Sequence, residues 1–79
     1  MAEYYATVQY QEGTQLNNTE LNILRYFASS HHGDHCEAAT NLNARFIAFT
    51  FGQEDDATKF AEVSKNLEKI VVVKVGRLR

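Results

Sequence analysis

Residues 43–60 read Asn-Ala-Arg-Phe-Ile-Ala-Phe-Thr-Phe-Gly-Gln-Glu-Asp-Asp-Ala-Thr-Lys-Phe. From Ala44 to Phe51 the chain sets Phe46, Ala48 and Thr50 on one parity and Ile47, Phe49 and Phe51 on the other. Period two with aromatic and β-branched residues predicts a strand over 44–51. Gly52 stops it. Glu54, Asp55 and Asp56 then suit the positive end of a helix dipole. Ala57, Phe60, Ala61, Ser64 and Leu67 recur at helical spacing as a buried stripe, with Lys65 and Lys69 toward the negative end. A strand, a stop and an acidic helix start make half of a small sheet-and-helix unit.

The other half precedes it. Tyr4, Ala6, Val8 and Tyr10 alternate with Tyr5, Thr7 and Gln9, which predicts a first strand ended by Gln11-Glu12-Gly13-Thr14. Asn17 and Glu20 have the spacing of a capping box. Leu21, Leu24, Phe27 and Ala28 then share one helical face, and Gly33 is placed to end that helix in a left-handed conformation. Residues 36–42 are read as a strand, with a loop and a three-stranded sheet as the alternative. Ile70 to Val75 reads as a last strand, followed by Gly76 and a basic tail. The order strand, helix, strand, strand, helix, strand is the split β-α-β pattern. It predicts an α+β, ferredoxin-like fold, one antiparallel sheet with both helices on a single face.

Seventy-nine residues are expected to form one domain, 1–79, with a small core and modest stability. The single cysteine, Cys36, excludes an internal disulfide, and a small chain without staples points to a reducing cytoplasm. No signal-peptide pattern opens the chain, and the run from Ile70 to Val73 is far too short to span a bilayer, so no membrane is expected. The net charge of −2 is unevenly spread: residues 1–58 hold eight acidic and two basic groups, residues 59–79 two acidic and six basic. The basic end is either a site for an anionic partner or one pole of a dipolar surface.

One sheet face in this architecture has no helix. With Ile47, Phe49 and Phe51 inward, Phe46, Ala48 and Thr50 face out. In the last strand Lys74 must avoid the core, which sends Val71, Val73 and Val75 inward and Ile70 and Val72 outward. In the first strand Ala6 and Val8 go inward and Tyr5 outward. The open face is thus expected to carry Tyr5, Phe46, Ala48, Ile70 and Val72, an apolar patch of the kind that marks an interaction surface.

The segment Ala44-Arg45-Phe46-Ile47-Ala48-Phe49-Thr50-Phe51 resembles the RNP1 strand of RNA-recognition motifs. With the helix after it, the resemblance covers about twenty residues. It implies that Phe46 stacks on a base, with Tyr5 as a first-strand platform. Ala48 stands where that family has a second aromatic, Arg45 where it has glycine, and Ala44 where it has a basic residue. Arg45, Lys74, Arg77 and Arg79 are the basic groups available to an RNA.

His31, His32, His35 and Cys36 cluster in sequence but match no metal-ligand spacing, so no metal or other cofactor is expected; a polar helix end is the simpler account. No phosphate-binding glycine loop or triad is present, so no catalysis is expected. The sequence therefore points to a small non-enzymatic binding protein: an adaptor, regulator or inhibitor, with phage-type anti-defence proteins as the stylistic match. Its expected contacts are Tyr5, Arg45, Phe46, Ile70, Val72, Lys74, Arg77 and Arg79, and its expected partner is a protein or a second copy of itself. The alternatives are single-stranded RNA binding and a small dimeric ferredoxin-like enzyme.

Overall fold

The computed structural model describes residues 2–78. Strands β1 (Tyr4–Tyr10), β2 (Gly33–His35), β3 (Phe46–Phe51) and β4 (Ile70–Arg77) form one open sheet in the order β2-β3-β1-β4. Every neighbouring pair is antiparallel. Helix α1 (Asn18–Ser30) joins β1 to β2, and α2 (Glu54–Ser64) joins β3 to β4. Each helix thus links two strands that are separated by a third. The architecture is α+β and compatible with the ferredoxin-like pattern.

In β1 and β3 the core follows the predicted parities. Ile47, Phe49 and Phe51 of β3 meet Ala6, Val8 and Tyr10 of β1, Leu24 and Ala28 of α1, and Ala57 and Phe60 of α2 in one buried cluster. Both helices therefore lie on one face of the sheet. Phe60 sits between two strand aromatics, with ring centroids 4.8 Å from Phe49 and 5.3 Å from Phe51, tilted at 55° and 42°. Tilted pairs of this kind each contribute about 0.5–1.5 kcal/mol beyond the area they bury.

Helix α1 opens with the expected capping box. Glu20 N–H donates to Asn17 Oδ1 (2.8 Å), and Asn17 N–H donates back to Glu20 Oε1 (2.9 Å). The same Oε1 takes a hydrogen bond from Lys69 Nζ at 2.9 Å, which ties the start of α1 to the start of β4.

Three expectations are corrected. The second strand is Gly33–His35, ahead of the 36–42 segment. That segment instead holds a 3₁₀ turn at Glu37–Ala39, and a second turn follows at Leu42–Ala44. Side chains there take up backbone groups that a ladder would use. Thr40 Oγ1 accepts from Ala48 N–H (3.1 Å) and donates to Cys36 O (2.8 Å). Asn41 Oδ1 accepts from the N–H groups of Asn43 and Ala44.

Gly33 does not end α1. His32 takes the left-handed conformation, at φ 62°. Gly33 pairs with Phe51, and a Cβ on it would run into the Phe51 ring. Glycine is needed here for close approach.

The third correction concerns β4. Its register with β1 shifts between Gln9 and Tyr10: Gln9 opposes Val72, while Tyr10 opposes Ile70. Val71 is the extra residue of a β-bulge, and a bulge reverses side-chain parity beyond it. Ile70 therefore enters the core with Tyr10, whereas Val71, expected inside, is exposed. Val73 packs on the core as expected.

Two substitutions test this packing by chemical denaturation. Gly33→Ala is expected to cost about 1–3 kcal/mol, because the buried Phe51 ring has no room to retreat. Ser64 Oγ is buried in α2 without a hydrogen-bond partner among the described residues. Ser64→Ala is expected to leave stability unchanged or to raise it by up to about 1 kcal/mol, since an unsatisfied hydroxyl costs more than it returns.

Candidate binding face

The helix-free face is built from alternate residues of β1, β3 and β4. Tyr5 lies between Thr50 on β3 and Gly76 on β4, half-buried. Its ring covers Gly76, where any Cβ would meet the ring and its hydroxyl. An aromatic laid over a strand glycine restores the contact that the glycine lacks. Phe46 begins β3 opposite Gln9, half-buried, and its backbone exchanges two 2.9 Å hydrogen bonds with Asn41. Val72 lies across Gln9 on the other side and is 37% exposed. Lys74 opposes Thr7 and is exposed. The face thus carries Tyr5, Phe46 and Val72, separated by Thr7, Gln9 and Thr50.

Other predicted contacts lie elsewhere. Ile70 is in the core, turned inward by the bulge at Val71. Ala48 is on the open face but only 3% exposed, so it presents almost no surface. Arg45 is not in β3. It adopts a left-handed conformation at φ 61°, closing the Leu42–Ala44 turn. Its backbone carbonyl accepts from Tyr10 N–H (3.2 Å), and its Nε donates to Tyr10 O (3.3 Å). Arg45 therefore pins the start of β3 to the end of β1. Arg77 opposes Tyr4, so by parity it belongs to the helix side of the edge strand. Arg79 lies outside the described residues.

The geometry separates the two aromatics that the RNA-recognition resemblance brings together. Tyr5 opposes Thr50 and Phe46 opposes Gln9, so they sit four residues apart along the strands. At about 3.3 Å per residue that is about 13 Å. They stand at opposite ends of the face and form no continuous stacking platform.

The histidine segment is dispersed. Among the described residues no group of three or more His, Cys, Asp or Glu side chains could hold a metal ion. Cys36 is a free, half-buried thiol. His35 packs against Phe49 with ring centroids 5.4 Å apart, and its Nε2 lies 3.2 Å from Thr40 Oγ1. That hydroxyl spends its proton on Cys36 O, so it accepts from His35. The imidazole accordingly carries its proton on Nε2, and Nδ1 is a buried lone pair with no partner among the described residues. Burial, and then the Arg25 charge, push the His35 pKa below its ordinary value, against a smaller opposing effect of Glu37. The Asn17 N–H and Lys69 hold the Glu20 carboxyl below its usual range.

Two depressions open elsewhere on the surface. A cleft of about 160 Å³ lies beneath the Glu20–Lys69 pair, lined by Leu16, Ile23, Leu24 and Leu67. A shallower groove of about 640 Å³ runs from Thr14 and Asn18 to Leu42 and Arg45. His35 lines neither. No helix among the described residues is long and apolar enough to cross a membrane.

Compared with protein-family models, curated proteins and solved structures, the chain matches none.

The sequence carried no signal for the seating of Tyr5 on Gly76. The bulge was also hidden, because Ile70-Val71-Val72-Val73 is a continuous apolar run without alternation.

The His35 environment makes stability depend on pH. The folded imidazole resists protonation and the unfolded one does not, so the unfolded chain binds more protons below about pH 6.5. Stability is then present above that value and lost as pH falls. The thermal midpoint is expected to drop between about pH 7.5 and about pH 5.5, and His35→Gln is expected to flatten that slope. Glu20 adds a further loss at lower pH, through the carboxylate range.

Proposed function

We propose that this chain is a small non-catalytic binding protein of ferredoxin-like topology that docks a protein partner on its helix-free sheet face. The observation that carries this is the face itself. Both helices cover one side of the sheet, and the other presents Tyr5, Phe46 and Val72 among Thr7, Gln9 and Thr50. Aromatic anchors set among small hydrogen-bonding side chains are what a protein interface requires. An adaptor, regulator or inhibitor acts in this way without chemistry of its own.

Two observations favour this over the alternatives. Base stacking is poorly served when Tyr5 and Phe46 stand about 13 Å apart along the strands and Arg45 is held at the end of β1. Catalysis is poorly served when His35 lines neither surface depression and its imidazole packs against Phe49 and Thr40. Glu20 Oε1 is already engaged by Asn17 and Lys69.

The test is capture from extract of the source cells, split into nuclease-treated and untreated halves. Phe46→Ala and Thr50→Arg are carried in parallel with the natural chain. The expected result is a nuclease-resistant protein whose affinity falls about thirtyfold in Phe46→Ala, the size of a lost anchor. A second copy of this chain is the other protein outcome, read by sedimentation. Enriched RNA that is lost on nuclease treatment would overturn the reading.

A further inference from the structure

β4 is the long free edge of the sheet, and its backbone is only half used. Leu78 N–H donates to Glu3 O (2.7 Å) at one end of the ladder with β1. In an antiparallel pair, hydrogen-bonded positions recur every second residue, here at Gly76, Lys74 and Val72. The residues between them, Val73, Val75 and Arg77, turn their N–H and C=O groups away from β1. No hydrogen bond joins those groups to another element among the described residues.

The side chains along this edge share the same openness. Among the described residues the exposed large apolar side chains number seven, and Val71 (57%), Val72 (37%), Val75 (37%) and Leu78 (41%) are four of them. The opposite edge offers far less: β2 has three residues, and the chain beyond it turns into 3₁₀ structure.

Charge selects the occupant. β4 carries Lys74 and Arg77 and no acidic residue. An antiparallel second copy centred on Val75 would set Lys74 beside Gly76 and Arg77 beside Val73 of its twin. The two Lys74 side chains would then be diagonal neighbours on one face with no carboxylate between them, a like-charge contact that disfavours the pairing. An acidic strand removes that conflict.

We propose that the β4 edge accepts an extended acidic segment of another protein as a fifth, antiparallel strand. The inference rests on the binding-protein reading and adds a second surface to it. The backbone groups of Val73, Val75 and Arg77 supply the ladder. Carboxylates opposite Lys74 and Arg77, three residues apart and on opposite faces, supply the choice of partner. Apolar residues opposite Val73 and Val75 complete the pattern.

Read from the Arg77 end, that pattern is Glu-Thr-Val-Glu-Val-Thr. This peptide, acetylated and amidated, is the probe, titrated into the ¹⁵N-labelled full chain and followed by amide shifts. The expected shifts centre on Val73, Val75 and Arg77. Affinity is expected to fall about three- to tenfold between about 0.05 M and about 0.5 M salt. The matching Lys-Thr-Val-Lys-Val-Thr peptide is expected to bind at least about tenfold more weakly.

Val75→Pro should abolish the response, because the lost N–H points away from β1 and the native ladder survives. Lys74→Glu, at an exposed position, should reduce binding of the acidic peptide and improve binding of the basic one; it keeps the test decisive if the proline variant fails to fold. No shift with either peptide at about 1 mM would overturn the proposal, as would equal binding of both. Shifts confined to Tyr5, Thr7 and Thr50 would overturn it while leaving the open-face reading intact.

Discussion

The contact of Phe60 with Phe49 and Phe51 is the constraint on which the rest of the structure depends. It presses α2 onto the centre of β3, and the Phe51 ring in turn occupies the space above Gly33. That space is open only because residue 33 lacks a Cβ, so the ring also sets where β2 can lie. One aromatic cluster thereby positions a helix, a central strand and an edge strand. In a chain of 79 residues it is a large share of the core, and losing a buried phenylalanine typically costs about 3–5 kcal/mol. That is comparable to the whole stability of many small domains.

Concentrating the large apolar residues on one side has a consequence for the other. Core cluster and helices share a face, so the opposite face holds what is left: single aromatics spaced by threonine and glutamine. Tyr5 packs over Gly76, so its ring gives up little freedom on binding, and the Asn41 bridge fixes the main chain that carries Phe46. Ordered anchors lose less entropy when a partner docks, and so more of the contact energy remains as affinity.

The turn region between β2 and β3 shows how polar side chains shape this surface. Thr40 alone makes three contacts, to His35, Cys36 and Ala48. It satisfies a strand amide, fixes an imidazole tautomer and closes a turn. Arg45 closes the next turn from a left-handed backbone, a conformation that costs a non-glycine residue about 1–2 kcal/mol and is offset here by two bonds to Tyr10. The RNP1-like string of residues therefore begins in a turn. Its resemblance is one of composition over 46–51, and its first two residues serve a different geometry.

The sequence by itself determined the elements whose cause is local. The β1 and β3 alternation, the Asn17–Glu20 capping box, the acidic start of α2, the α1 stripe and the α2 stripe from Ala57 to Ser64 were legible because each depends on residues within a few positions of one another; Leu67 and Lys69, expected on α2, lie past its end at Ser64. Only the tertiary structure decided the place of β2, the role of Gly33 and the phase of β4. Each of those depends on a group brought from beyond the local segment: the β3 residues Phe49 to Phe51 that pair with β2, the Phe51 ring over Gly33, and Tyr10 opposite Ile70 across a bulge. The candidate face divides in the same way. Tyr5, Phe46 and Val72 follow from period two, whereas Ile70 is withdrawn by one extra residue in the ladder, because a single-residue shift sends a side chain to the opposite face.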